Sequence, residues 1–128
     1  MLSAILSTGL DPFVGMLHKE HYGRASLALD LMEEFRPVIV DLEVLSMINL
    51  GQIKESDFLK NIAGAVFLTD KGRRKFLEVL RKRLMTKRYY GLLDARTEYI
   101  RIIEAQVRVF EKYILGEVDS YMPFVIER

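Results

Sequence analysis

A chain of 128 residues, half of them hydrophobic and 29% charged, has the size of one folded domain and enough apolar residues for a packed core, which excludes wholesale disorder. The formal net charge of +1 points to no class of partner, and the lack of cysteine excludes disulfides and thiolate metal sites. No apolar run reaches the length of a membrane span and no basic residues precede the apolar N-terminus, so a soluble cytoplasmic protein without membrane contact is expected.

Residues 2 to 8 read as the last turns of a helix closed by Gly9. Asp11-Pro12 restarts a short helix, with Asp11 as cap and proline at the first helical position, where its missing N–H costs nothing. That helix is expected to carry Phe13, Val14, Met16 and Leu17 inward and to deliver His18 at its end, before a polar turn at Lys19 to Arg24. Ser26 caps a long helix expected over residues 27 to 50 and ended by Gly51, with an apolar stripe of Leu27, Leu31, Phe35, Val38, Leu45 and Ile48. Pro37 inside it predicts a kink beside Glu33.

Gln52 to Asn61 is expected to form one or two helical turns, and Ala65 to Leu68 a brief extended segment. Thr69 caps a third long helix over about Asp70 to Lys87, with Phe76, Leu77, Leu80 and Leu84 as its stripe. Tyr89 to Leu93 reads as a linker. Asp94 then opens a helix to about residue 115, with Tyr99, Ile102, Ile103, Val107, Phe110, Tyr113 and Ile114 at helical spacing, ahead of an irregular tail from Val118 to Arg128. No repeat and no strand pair stand out. The expected fold is an all-α helical bundle forming a single domain over residues 1–128.

Two constellations could carry chemistry. Asp30 and Glu33 lie three apart on an apolar helix, with about 5–6 Å between Cβ atoms, so at least one should be desolvated and need a cation or a hydrogen-bond partner. An internal salt bridge to Arg24 or Arg36 satisfies that need. So does a divalent-metal clamp completed by His18, whose mixed nitrogen and oxygen donors suit Mn²⁺ better than Mg²⁺. His21, in a polar turn, reads as solvated. The second constellation is basic: residues 71 to 88 hold nine of the nineteen Lys and Arg residues. They form either a solvated helix face or a track for a phosphate backbone, led by Arg73, Arg74, Arg81, Arg83, Lys87 and Arg88, with Tyr89 and Tyr90 available to stack. There is no phosphate-binding glycine loop and no nucleophile elbow.

The run Gly9-Leu-Asp-Pro-Phe-Val-Gly-Met-Leu-His18, followed by Ser26-Leu-Ala-Leu-Asp-Leu-Met-Glu-Glu-Phe-Arg-Pro-Val-Ile-Val-Asp41, closely resembles the CRISPR adaptation integrase family. Leu68-Thr-Asp-Lys-Gly-Arg73 and Tyr121-Met-Pro-Phe124 extend the resemblance over essentially the whole chain. The resemblance implies the helical C-terminal catalytic lobe of a metal-dependent DNA nuclease and integrase that uses Mn²⁺ or Mg²⁺. It implies DNA and a small ferredoxin-like protein as partners. By motif, His18 and Glu33 match the metal-binding residues and Asp30 the accessory catalytic carboxylate. The family's N-terminal β-domain and the early helices bearing a third ligand, a glutamate, have no counterpart here. A truncated or split member is therefore expected, acting as a homodimer and complemented by a separate chain with the missing half. The alternative is a catalytically inactive helical remnant that binds DNA or protein.

Overall fold

The computed structural model describes residues 1–19 and 21–125; Glu20 of the predicted polar turn and residues 126–128 of the predicted tail lie outside it. Five helices dominate, in keeping with the all-α expectation. They are α1 (Leu2–Thr8), α2 (Ser26–Glu33), α3 (Leu42–Asn49), α4 (Asp70–Leu84) and α5 (Tyr99–Ile114). Two short antiparallel hairpins accompany them: β1 (Phe58–Lys60) with β2 (Val66–Leu68), and β3 (Lys87–Tyr90) with β4 (Ala95–Glu98). The described chain divides into two compact units, Met1–Arg36 with Lys87 onward, and Pro37–Thr86.

In the first unit α1 ends as predicted, on Gly9 in the left-handed region at φ 80°. Its Ile5 packs with Leu27, Ala28 and Leu31 of α2 and Val107 and Phe110 of α5 to form the core. The α5 stripe is buried at Tyr99, Ile102, Val107 and Phe110, while Tyr113 and Ile114 emerge into solvent. This helix starts at Tyr99 and not at Asp94, because Tyr89–Glu98 is a hairpin and not a linker. Asp94 sits in its turn at φ 45°, a conformation that aspartate tolerates better than most residues.

The expected helix from Pro12 to His18 is absent: that segment is a chain of turns, and Phe13, Val14, Met16 and Leu17 face solvent. Its backbone donors are drawn to a side chain instead, as described below. Ser26 is buried and does not cap α2; its hydroxyl points to the Lys19 carbonyl at 3.4 Å.

In the second unit the expected long helix does not run on through Pro37. It is replaced by a π-helical turn over Pro37–Asp41, followed by α3. The wider turn resets the phase of the helix. Met47 therefore joins Val38 and Ile39 in the interior, whereas Leu45 and Ile48, expected inside, lie exposed. Arg83 of α4 fastens this irregular turn, its Nε donating to the Val38 carbonyl at 3.1 Å beside Glu43.

Gln52 to Asn61 carries one helical turn, of 3-10 type at Glu55–Asp57, and then continues as strand β1. Asn61 closes the hairpin through Oδ1, which accepts the Ala65 N–H at 2.9 Å. The Leu68-Thr-Asp-Lys-Gly-Arg73 motif is a packing junction. Thr69 caps α4 by accepting the Gly72 N–H at 3.0 Å. Asp57 is buried, held by Lys75 at 2.6 Å and by the Lys54 N–H at 2.9 Å. A Cβ on Gly72 would lie 2.5 Å from the Asp57 carbonyl oxygen, so only glycine lets α4 approach this closely. Gly72→Ala should cost about 1–3 kcal/mol of stability, typical of an overpacked contact, read as a lower urea midpoint at unchanged slope.

Candidate functional site

The site begins with one carboxylate. Asp30 projects from α2 toward the segment Gly15–His18, and it is buried at 7% exposure. Its Oδ2 accepts the N–H groups of Met16 at 2.6 Å and Leu17 at 2.9 Å, and its Oδ1 accepts that of His18 at 3.0 Å. The His18 ring bonds to the same Oδ1 through Nδ1. Three successive backbone donors thus curl around one acid. That is why they do not form helix bonds. A Cβ on Gly15 would meet the His18 carbonyl at 2.6 Å, the Ser26 Cβ at 2.7 Å and Asp30 Oδ2 at 3.1 Å, so the curl requires glycine there. At its start Asp11 Oδ1 accepts the Phe13 N–H at 2.9 Å, and the Pro12 carbonyl accepts the Leu27 N–H at 3.0 Å.

Burial pushes the Asp30 carboxyl up, but the Leu17 N–H, the His18 ring and the N–H groups of Met16 and His18 outweigh it. The group therefore titrates below the ordinary aspartate range. With Nδ1 committed to Asp30, the other ring nitrogen, Nε2, is the one left for an outside ligand on a side chain 32% exposed.

Glu33, one turn further along α2, is half exposed and faces the Arg36 guanidinium at 3.4 Å. Asp30 and His18 are therefore brought together, while Glu33 is placed in solvent with a basic neighbour. Among the described residues no three His, Cys, Asp or Glu side chains gather as a metal cage. The donor chemistry fits a divalent ion in part: an imidazole oriented by a carboxylate is how metal-ligating histidines are commonly held, and Glu33 offers accessible oxygens. A complete shell needs further ligands.

The basic residues have separate fates. Arg74 and Arg81 are exposed on α4, Arg73 lies 3.9 Å from Asp70, and Lys82 pairs with Glu78 at 2.8 Å. Arg83 is largely spent on Val38 and Glu43. Lys87 and Arg88 are exposed on β3, in the first unit.

Sequence reasoning gave Glu34 no role. Its carboxylate accepts the Tyr121 hydroxyl and, at 2.9 Å, the Phe124 N–H. Buried Gln106 continues the network: its Nε2 donates to the Tyr121 oxygen at 2.9 Å and the Met122 carbonyl at 2.6 Å, and its Oε1 accepts the Tyr90 hydroxyl. Burial, with Glu34 nearby, pushes the Tyr90 hydroxyl up to about 12, and it raises Tyr121 as well. Phe124 stacks on Phe35 with ring centroids 4.7 Å apart. The signal was a polar residue, Gln106, on the apolar stripe of α5.

The family model for the CRISPR associated protein Cas1 matches residues 1–82. The chain belongs to the Cas1 family. It is 44% identical over 124 residues to the CRISPR-associated endonuclease Cas1 3 of Thermus thermophilus, covering 97% of this chain and 37% of that protein. A solved casposase bound to integration product superposes with a TM-score of 0.84 at 33% identity, over 99% of this chain and 36% of the casposase. A chain of the partial Cas6-RT-Cas1–Cas2 complex shares the fold with a TM-score of 0.73 at 23% identity, over 96% of this chain and 36% of that one. The chain thus spans little more than a third of the length of each of these three proteins.

The Asp30 anchor makes two predictions. Because its folded-state titration is depressed, its stabilisation is complete above about pH 4 and fades as pH falls through the folded value. Asp30→Asn should flatten that acid limb of the stability curve. Asp30→Ala, which leaves three part-buried N–H groups without their acceptor, should cost about 1–3 kcal/mol in urea unfolding.

Proposed function

We propose that this chain carries part of a metal-dependent site for DNA strand transfer or nicking in CRISPR adaptation, and that the site is incomplete on its own. The observation that carries the proposal is the His18–Asp30 pair. A carboxylate on Nδ1 fixes the orientation of the ring and leaves Nε2 outward, which is the arrangement a metal-binding histidine needs. His18 Nε2 and a Glu33 oxygen would hold Mn²⁺ or Mg²⁺, the mixed donor pair favouring Mn²⁺, with water or another chain supplying the rest. Bound there, a divalent ion would stabilise charge developing on a phosphoryl oxygen. Asp30 acts as a positioning residue behind His18, because its oxygens are occupied. Glu33 must exchange its Arg36 partner for the ion, a modest cost for an exposed pair.

DNA is the proposed substrate, met through phosphate contacts by Arg73, Arg74 and Arg81, and by Lys87 and Arg88 on the hairpin. Arg83 has the weakest case, given its structural bonds. The proposed protein partners are a small ferredoxin-like adaptation protein, a chain that supplies the third ligand, and a second copy of this chain. One observation favours a second reading, a module that binds DNA or protein without catalysis: no three-residue ligand cluster forms among the described residues.

Calorimetric titration tests the metal reading. Mn²⁺ should bind weakly; His18→Ala and Glu33→Ala should abolish binding, His21→Ala should not, and Asp30→Asn should weaken it about 10–100-fold. Equal affinity in wild type and Glu33→Ala removes the site. Strand-transfer assays separate the two readings. The isolated chain should join no 3′-hydroxyl DNA end. A complementing chain bearing the third ligand should restore joining only while His18 and Glu33 are intact. No restoration, with DNA still bound, selects the non-catalytic module.

A further inference from the structure

Helix α2 stops at Glu33, the residue whose oxygens the metal reading brings to the same ion as His18. A helix end is where side-chain direction is least defined, because its last carbonyls have no partners within the helix. Pro37 adds to this, having no N–H to carry the ladder back to the Glu33 carbonyl. Both residues that follow Glu33 are nevertheless fastened, and to the same segment of the tail. Glu34 Oε1 accepts the Tyr121 hydroxyl, and its Oε2 accepts the Phe124 N–H at 2.9 Å. Phe35 is buried, its ring stacked on Phe124 with the two planes 20° apart.

The tail segment is itself tied down. Gln106 donates to the Tyr121 oxygen at 2.9 Å and to the Met122 carbonyl at 2.6 Å, and the Tyr121 ring meets Phe110 edge-on at 5.3 Å. Gln106 and Phe110 belong to α5, so residues 121–124 form a strap from α5 to the end of α2, wholly within the first unit. The Phe124 stack alone would cover Phe35. The two bonds to Glu34 add direction, because hydrogen bonds weaken steeply when their angle is lost. A helix advances about 100° per residue, which puts Asp30 and Glu33 about 60° apart and Glu34 about 100° beyond Glu33. Rotation of this last turn is the motion that would swing Glu33 away from His18. Asp30 pins the start of the turn to the histidine loop, and Glu34 pins its end to the strap.

We infer that Glu34 is a positioning residue for Glu33, aiming it at the ion position beside His18 by way of Tyr121 and Phe124. It touches neither the ion nor DNA, since both of its oxygens are occupied. In phosphoryl chemistry an offset of about 1 Å costs about a hundredfold in rate, so the aim of a ligand matters as much as its presence. The inference rests on the metal reading above and adds to it the part of the chain that orients the carboxylate ligand.

Calorimetric Mn²⁺ titration, beside amide hydrogen exchange of the metal-free protein, tests it. Tyr121→Phe removes the hydroxyl and keeps the ring, while Phe124→Leu removes the stack and keeps the backbone N–H. Each should weaken Mn²⁺ binding about tenfold, the lower end of what losing a partner behind a metal ligand costs. Each should also speed exchange of the Phe35 amide, which donates to the Met32 carbonyl at 3.1 Å, and leave that of Leu31 within α2 unchanged. Glu34→Gln, with one oxygen where two are used, should fall between wild type and Glu34→Ala. Ile102→Val, a fully buried α5 position that makes no hydrogen bond or ring stack, lowers stability without touching these bonds and should bind Mn²⁺ as wild type does. Unchanged affinity in the Tyr121 and Phe124 variants, or equal weakening in Ile102→Val, overturns the positioning role and leaves the metal reading intact. Wild type that binds no Mn²⁺ overturns both.

Discussion

The Asp30 carboxylate is the constraint on which the candidate site depends. It collects three consecutive backbone N–H groups and an imidazole, four nitrogen atoms of one short segment gathered on two oxygens. Charge-assisted bonds of this kind are roughly twice as strong as neutral ones, and they outcompete the helical bonds that Asp11-Pro12 would otherwise start. The exposure of Met16 and Leu17, the need for glycine at position 15 and the orientation of His18 all follow from that competition. A residue that reads from sequence as an accessory acid is, in the fold, the anchor of the loop that presents the histidine.

Helix α2 and the residue after it distribute three acids to three tasks within five positions. Asp30 faces inward to the histidine loop, Glu33 stands in solvent beside Arg36, and Glu34 at the helix C-terminus captures Tyr121 and the Phe124 N–H. A helix advances about 100° per residue, so carboxylates at positions 30, 33 and 34 leave at different angles, and each meets whatever its angle offers. Gln106 plays the same part on α5, joining Tyr90, Tyr121 and the Met122 carbonyl in one buried network. Irregular segments on both sides of α2 are thus held by side chains of regular ones.

Much of this was legible in the residues. Helical spacing located α1, α4 and α5 and most of the α2 stripe, Gly9 and Thr69 marked real boundaries, and Pro37 signalled the break where the π turn lies. What escaped was long-range. The histidine loop could not be told from a helix without knowing that Asp30, fourteen residues from Met16, takes its donors. The phase shift that hides Met47 and exposes Leu45 arises from the π turn, which no α-helical period anticipates. Both hairpins were too short to show alternation, although Asn61, Gly64 and Asp94 were turn residues in plain view. Glu34 and Gln106 carried polarity at helical positions, yet their partners lie 90 and 16 residues away.

The central claim is that Asp30 holds His18 so that Nε2 faces a metal ligand position. A long-range proton–nitrogen correlation spectrum of the histidine rings at pH 8 tests it most directly, recorded with and without a trace of Mn²⁺. The account predicts that His18 carries its proton on Nδ1, that Mn²⁺ broadens its ring signals selectively over those of His21, and that Asp30→Asn removes both features. A proton on His18 Nε2, or equal broadening of the two histidines, would contradict it.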